Sequence, residues 1–129
     1  MPGYLIWPAI VMSLAFLFYS AGVWAERLER NLRATHVVSF WLGLAFDAYG
    51  THLMNLMREA GHQTDLIHGI TGVAAFGLMA LHAIWASWAI SRGSARVRHV
   101  FHRYSLTVWL LWLVPYVGGM VAGMLAGAN

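Results

Sequence analysis

Polar residues gather at only three places along the chain, ERLERNLR from Glu26, REAGHQTD from Arg58 and SRGSARVRH from Ser91. The stretches between them are almost wholly apolar, and each is long enough to cross a hydrocarbon core of about 30 Å at about 1.5 Å of rise per residue. The pattern predicts helices over residues 4–25, 36–57, 66–90 and 96–126, the apolar part of the last beginning at Tyr104. In lipid every backbone N–H and C=O needs an internal partner, which leaves helices or a closed barrel. Four helices joined by short loops predict a single all-α domain over 1–129, an integral membrane up-and-down four-helix bundle.

Composition agrees: 60% of the residues are hydrophobic and 10% charged, with a mean hydropathy of +0.61, which is outside the usual range for a soluble domain of this length. The first span lacks a preceding Lys or Arg and a small-residue cleavage pattern, so we expect a retained helix and not a removed signal. Arg27, Arg30 and Arg33 lie in the first joint, Arg92, Arg96, Arg98 and Arg103 in or beside the third, and only Arg58 in the second. The positive-inside rule then predicts that residues 26–35 and 91–103 are cytoplasmic and that both termini lie on the other side, in a plasma membrane of bacterial or archaeal type. The net charge of +3 reads as a topology signal, with no soluble face to carry a nucleic-acid patch.

With no cysteine in the chain, disulfides, thiol catalysis and iron–sulfur clusters are excluded. No phosphate loop, HExxH or GxSxG is present. Chemistry therefore rests on seven histidines and on Asp47. In an up-and-down bundle, residues equally distant from a turn lie at equal depth. His52 and His68 are each eight residues from Ala60, and His82 and His102 each ten from Arg92. His68 and His82 are fourteen residues apart, nearly four turns, so they share one face and lie about 21 Å apart along it. Gly72, Ala75, Met79 and Ala86 occupy the same stripe and leave room for a neighbouring backbone or a flat ligand.

The run HGITGVAAFGLMALH from His68 resembles the transmembrane helix of membrane-embedded b-type cytochromes, which stack two haems across the bilayer. That resemblance covers one helix; the two level pairs meet haem iron's need for one imidazole from each side at matching depth, so we expect His52 with His68 and His82 with His102 as cofactor-binding residues, His68 and His82 on haem iron, in a transmembrane electron carrier with one or two b haems. The second helix departs from the diheme pattern, because His36 and His52 are sixteen residues apart and point about 160° away from each other. Over nearly its whole length the chain also resembles the HsmA-type family of small four-helix membrane proteins, through FWLGLAFDAYGTHLM from Phe40, HGITGVAAFGLMALHAIWA from His68 and FHRYSLTVWLLWLVPYVGG from Phe101. This likeness implies the topology and no reaction.

Two other readings stand beside haem. In one the protein is a small proton or metal transporter or an accessory membrane subunit that uses Asp47 and the histidine layers; in the other it is a structural membrane protein without a cofactor, whose histidines bond neighbouring helices or, as with His36, His62 and His99, meet solvent. Asp47 sits mid-span, where a charge costs at least about 2.5 to 3.5 kcal/mol. We expect it to face the interior, protonated, donating to the Leu111 carbonyl that Pro115 frees. Asp47, His36 and Tyr116 are accordingly read as a proton relay or a structural lock. Trp24, Trp41, Trp85 and Trp88 read as an interfacial belt, and Trp109, Trp112 and Tyr116 with Ser105 as a packing stripe. The bilayer is the expected partner, with a redox partner or quinone for the electron-carrier reading. Gly119, Gly123 and Gly127 offer a smooth edge for a homodimer. No acid–base pair at a recognisable spacing points to a substrate-transforming enzyme.

Overall fold

The computed structural model describes residues 3–61 and 66–128, with side chains placed for all of these except residues 5, 66–68 and 126–128. Four helices account for nearly all of it: α1 (Gly3–Glu29), α2 (Ala34–Glu59), α3 (Leu66–Arg92) and α4 (Ala95–Ala128). Every helix begins or ends within a few residues of a polar joint, because those joints hold the residues that can leave the apolar phase. At the first joint Arg30 takes a left-handed conformation (φ 54°), and at the second Gly61 does so (φ 93°). The Gly61 N–H bonds the Arg58 carbonyl at 3.1 Å.

Three helices are long and apolar enough to cross a membrane, over Ile6–Glu29, Gly69–Arg92 and Ala95–Leu125. Helix α2 falls short of that standard because it carries His36, Asp47, His52 and Asn55 along its length. The helices form a ring in which α1 packs on α2, α2 on α3, α3 on α4 and α4 back on α1, the α1–α2 seam being the most extensive. Glycine explains that seam. A Cβ on Gly22 would stand 2.5 Å from the Phe40 ring, and one on Gly43 2.5 Å from the Tyr19 ring. Small residues let two large buried rings lie against bare backbone.

Helix α3 buries a line of small residues, Ala75, Ala83, Ala86 and Ala89, together with Met79 and His82. This is the stripe expected from sequence, and neighbouring helices fill most of its breadth. At Gly72, on the same stripe, a Cβ would meet nothing within 4 Å. At the far end of the stripe Arg98 reaches back from α4, its Nε donating to the Ala89 carbonyl at 3.3 Å and its Nη2 to the Ile90 carbonyl at 3.2 Å. Both carbonyls belong to the last turn of α3; Ala89 also accepts the Gly93 N–H at 3.1 Å, and Ile90 lies where intrahelical donors run out. Arg98→Met should therefore lower stability by about 1 kcal/mol, read as a fall in the thermal midpoint in detergent. Arg96→Met, at an exposed position with no such bonds, should leave the midpoint in place, and equal shifts for the two would show that the cap contributes nothing.

The glycine edge of α4 is used at least partly within the chain, since Gly123 is buried and Gly119 half-buried; the burial of Gly127 lies outside the described residues. Trp24, Trp41 and Trp88 are exposed, as a belt requires, but Trp85 packs edge-on against the buried Phe101 at 5.3 Å and belongs to the core.

Candidate functional site

One face of α4 presents His102, Ser105, Trp109, Trp112 and Tyr116, spaced three, four, three and four residues apart. Alternating three and four keeps a row on a single face of a helix. Each of the five bonds a side chain on another helix. His102 Nδ1 lies 2.8 Å from Glu26 Oε1, Ser105 Oγ 2.9 Å from His82 Nε2, and Tyr116 Oη 3.0 Å from Ser13 Oγ. Trp109 Nε1 donates to Ser20 Oγ at 2.9 Å and Trp112 Nε1 to Asp47 Oδ2 at 3.0 Å. The row covers about 21 Å of helix, and its partners come from α1, α2 and α3, so α4 is the rail of a five-rung polar ladder inside an apolar bundle.

The rung at Trp112 gathers three helices. Asp47, 2% exposed, accepts on Oδ2 from both Trp112 Nε1 and the Tyr19 hydroxyl, each at 3.0 Å. Asp47 does face the interior and does tie α2 to α4, as its position predicted. Its observed partner on α4 is the Trp112 indole, whose N–H donates to Oδ2, where a bond to the Leu111 carbonyl was expected. Phe16 stacks along the same face, its centroid 6.5 Å from Trp109, 6.4 Å from Trp112 and 5.2 Å from Tyr116, which makes these aromatics packing as well as hydrogen-bonding groups.

The rungs nearest the arginine-rich end carry the groups best suited to proton chemistry. Glu26 is 2% exposed and His82 2% exposed, while the His102 side chain is 27% exposed. An ionised Glu26 fixes His102 as the tautomer with its proton on Nδ1, which leaves Nε2 as the free nitrogen. Two buried atoms at these rungs have no protein partner among the described residues, Glu26 Oε2 and His82 Nδ1. The His82 ring lies between Phe40, edge-on at 4.6 Å, and Phe101 at 4.9 Å.

The remaining histidines are placed separately. His36, expected at the solvent interface, is 3% exposed. Its Nδ1 accepts the Arg33 N–H at 3.0 Å and its Nε2 stands 3.0 Å from Glu29 Oε2. A nitrogen that accepts carries no proton, so Nε2 donates, and a neutral His36 closes the start of α2 in the way a glutamate closes a capping box. His52 is exposed, on the side of α2 away from Asp47 and Gly50, and His99 is exposed on α4. The His68 side chain and the whole of His62 lie outside the described residues.

Bis-His ligation requires two imidazole nitrogens converging across a gap the width of a macrocycle. As packed here, His82 is closed in by Phe40, Phe101 and Ser105, His102 turns to Glu26 on α1, and His52 faces outward. His82 and His102, expected at equal depth, meet neighbouring members of the α4 row, His82 through Ser105 and His102 as a member itself. Among the described residues no group of three or more His, Asp or Glu side chains is placed to hold a metal ion.

Sequence reasoning passed over Glu26, Tyr19 and Ser20. The mirror rule measures depth across a turn, and α1 meets α4 with no turn between them. A usable signal was the 3-4-3-4 row on α4 itself, every member of which can form a hydrogen bond. Compared with protein-family models, with curated proteins and with solved structures, the chain matches none.

Proposed function

We propose that this protein is a small integral membrane protein that moves protons along the interior of its bundle, entering or leaving at His102 on the arginine-rich side. The observation that carries the reading is the unbroken polar row on α4, in which five consecutive inward positions each hold a bonded polar partner. Burying ionisable groups in a membrane is costly, and such groups usually mark ion or proton paths. Glu26 with His102, His82 with Ser105, and Asp47 with Tyr19 are each able to take and release a proton, and Tyr116 with Ser13 continues the row toward the termini. The positive-inside rule makes the His102 end cytoplasmic.

Reconstituted into vesicles with a pH-sensitive dye inside, the protein should dissipate an imposed proton gradient. Glu26→Gln and Asp47→Asn keep the acceptor oxygen of each rung but remove the ionisable carboxylate, and each should slow dissipation at least about tenfold at a stability cost under about 1 kcal/mol. A wild-type protein no more conductive than empty vesicles removes the relay and leaves the ladder as a structural lock. The electron-carrier reading has its own signature: an intense Soret band with reducible α and β bands in protein from a haem-replete host, lost in His82→Ala, would replace the present proposal.

A further inference from the structure

Resting on the relay reading, a second inference concerns the two atoms it leaves unconnected. Glu26 Oε2 and His82 Nδ1 are both buried and both lack a partner among the described residues. They belong to consecutive rungs: Glu26 bonds His102, His82 bonds Ser105, and these two α4 residues lie on one face with about 4.5 Å of rise between them. We propose that a short file of internal water joins Glu26 Oε2 to His82 Nδ1 and is the link between the first two rungs.

The chemistry of the two ends selects water. A carboxylate oxygen only accepts, so whatever meets Oε2 must donate. His82 Nδ1 accepts or donates according to tautomer, and water can donate to the first and take either role at the second. A bare cation would suit the carboxylate, but the described residues gather no ligand set for one. Leaving a polar atom buried and unbonded costs about 1 to 3 kcal/mol, and an ordered water with two or more partners removes that cost in many protein interiors. Phe40 and Phe101 hold the ring so that Nε2 stays on Ser105; Nδ1 is then the nitrogen open to the water. A proton from the file binds Nδ1 to give the imidazolium, whose Nε2–H donates to Ser105 Oγ, and its return from Nδ1 to the file restores the neutral ring, with protons conserved.

Two measurements test this on the whole protein in lipid. Diffraction at a resolution that shows ordered water should reveal density bonded to Glu26 Oε2 and to His82 Nδ1. Difference infrared spectra recorded in water and in oxygen-18 water should contain an isotope-shifted internal-water band that disappears in His82→Phe and persists in His99→Phe, a change at an exposed histidine. Density and band together support the file even if no proton flux is found, in which case only the relay falls. A dry interior, with Oε2 and Nδ1 bonded to protein groups and no isotope-shifted band, overturns the file even if flux is intact.

Discussion

Replacing Asp47 with leucine should cost about 2 to 4 kcal/mol of stability, whereas replacing it with asparagine should cost less than about 1. Leucine fills a similar volume and abolishes the expense of burying a carboxylate, which by itself favours the variant. It also leaves the Tyr19 hydroxyl and the Trp112 indole N–H without the oxygen that both now use. Each orphaned donor in a buried site costs about 1 to 3 kcal/mol, though polar contacts between membrane helices average nearer 0.6, which is why the expected total lies at the lower end of that sum. Asparagine keeps one carbonyl oxygen in place and so retains both bonds. Unfolding in a mixed-micelle denaturant series reads the difference. A triple change, Asp47→Leu with Tyr19→Phe and Trp112→Phe, removes both donors with the acceptor and should recover most of the loss. If the leucine variant is as stable as the asparagine one, Asp47 is no lock, and only the proton reading explains its burial.

The second large effect belongs to Gly43, where a single methyl group should decide whether α1 and α2 close. A Cβ there would stand 2.5, 2.7 and 3.1 Å from Tyr19 ring atoms, and Tyr19 cannot step aside, because its hydroxyl is held by Asp47 and its ring lies edge-on to Trp112 at 5.1 Å. Alanine gains about 1 kcal/mol of helix propensity over glycine, against an overpacking cost of about 1 to 3 kcal/mol and the loosened Tyr19 bond. We expect a net loss for Gly43→Ala and failure to fold for Gly43→Leu. Gly72→Ala is the control of opposite sign, since nothing stands within 4 Å of its Cβ and the propensity gain is unopposed. Equal thermal midpoints for Gly43→Ala and Gly72→Ala would mean that Tyr19 is free to move.

Both predictions concern contacts that sequence reading approached from one side only. Asp47 was recognisable as an inward residue because a mid-span charge has no other tolerable place, and its tie to α4 followed from equal depths. Its true partners were not recognisable. Depth fixes how far along a helix two residues lie, while the azimuth of each helix in the ring decides which side chains meet, and an indole turned inward at Trp112 reaches Asp47 where a backbone carbonyl was expected. His36 carried two expectations, an inward relay or lock position and a solvated one, and burial favours the first. Its position near a joint suggested solvent, but the reversal from α1 into α2 folds Glu29 and the Arg33 N–H onto its two nitrogens.

Hydropathy along the chain was enough for the class and the wiring diagram: four helices, their limits to within a few residues, turns near Ala60 and Gly93, and helices apolar enough to enter a bilayer. Those features follow from hydropathy and from backbone hydrogen bonding, which act locally and repeat along the chain. Tertiary packing was needed to place His82 and His102 at neighbouring rungs, to complete the first rung with Glu26 and to make α4 the rail of the whole ladder. The closing contact between α1 and α4 joins residues such as Ser13 and Tyr116, which are 103 positions apart. No local pattern encodes it, because it depends on how four helices rotate to bury their large rings against small neighbours at the same time.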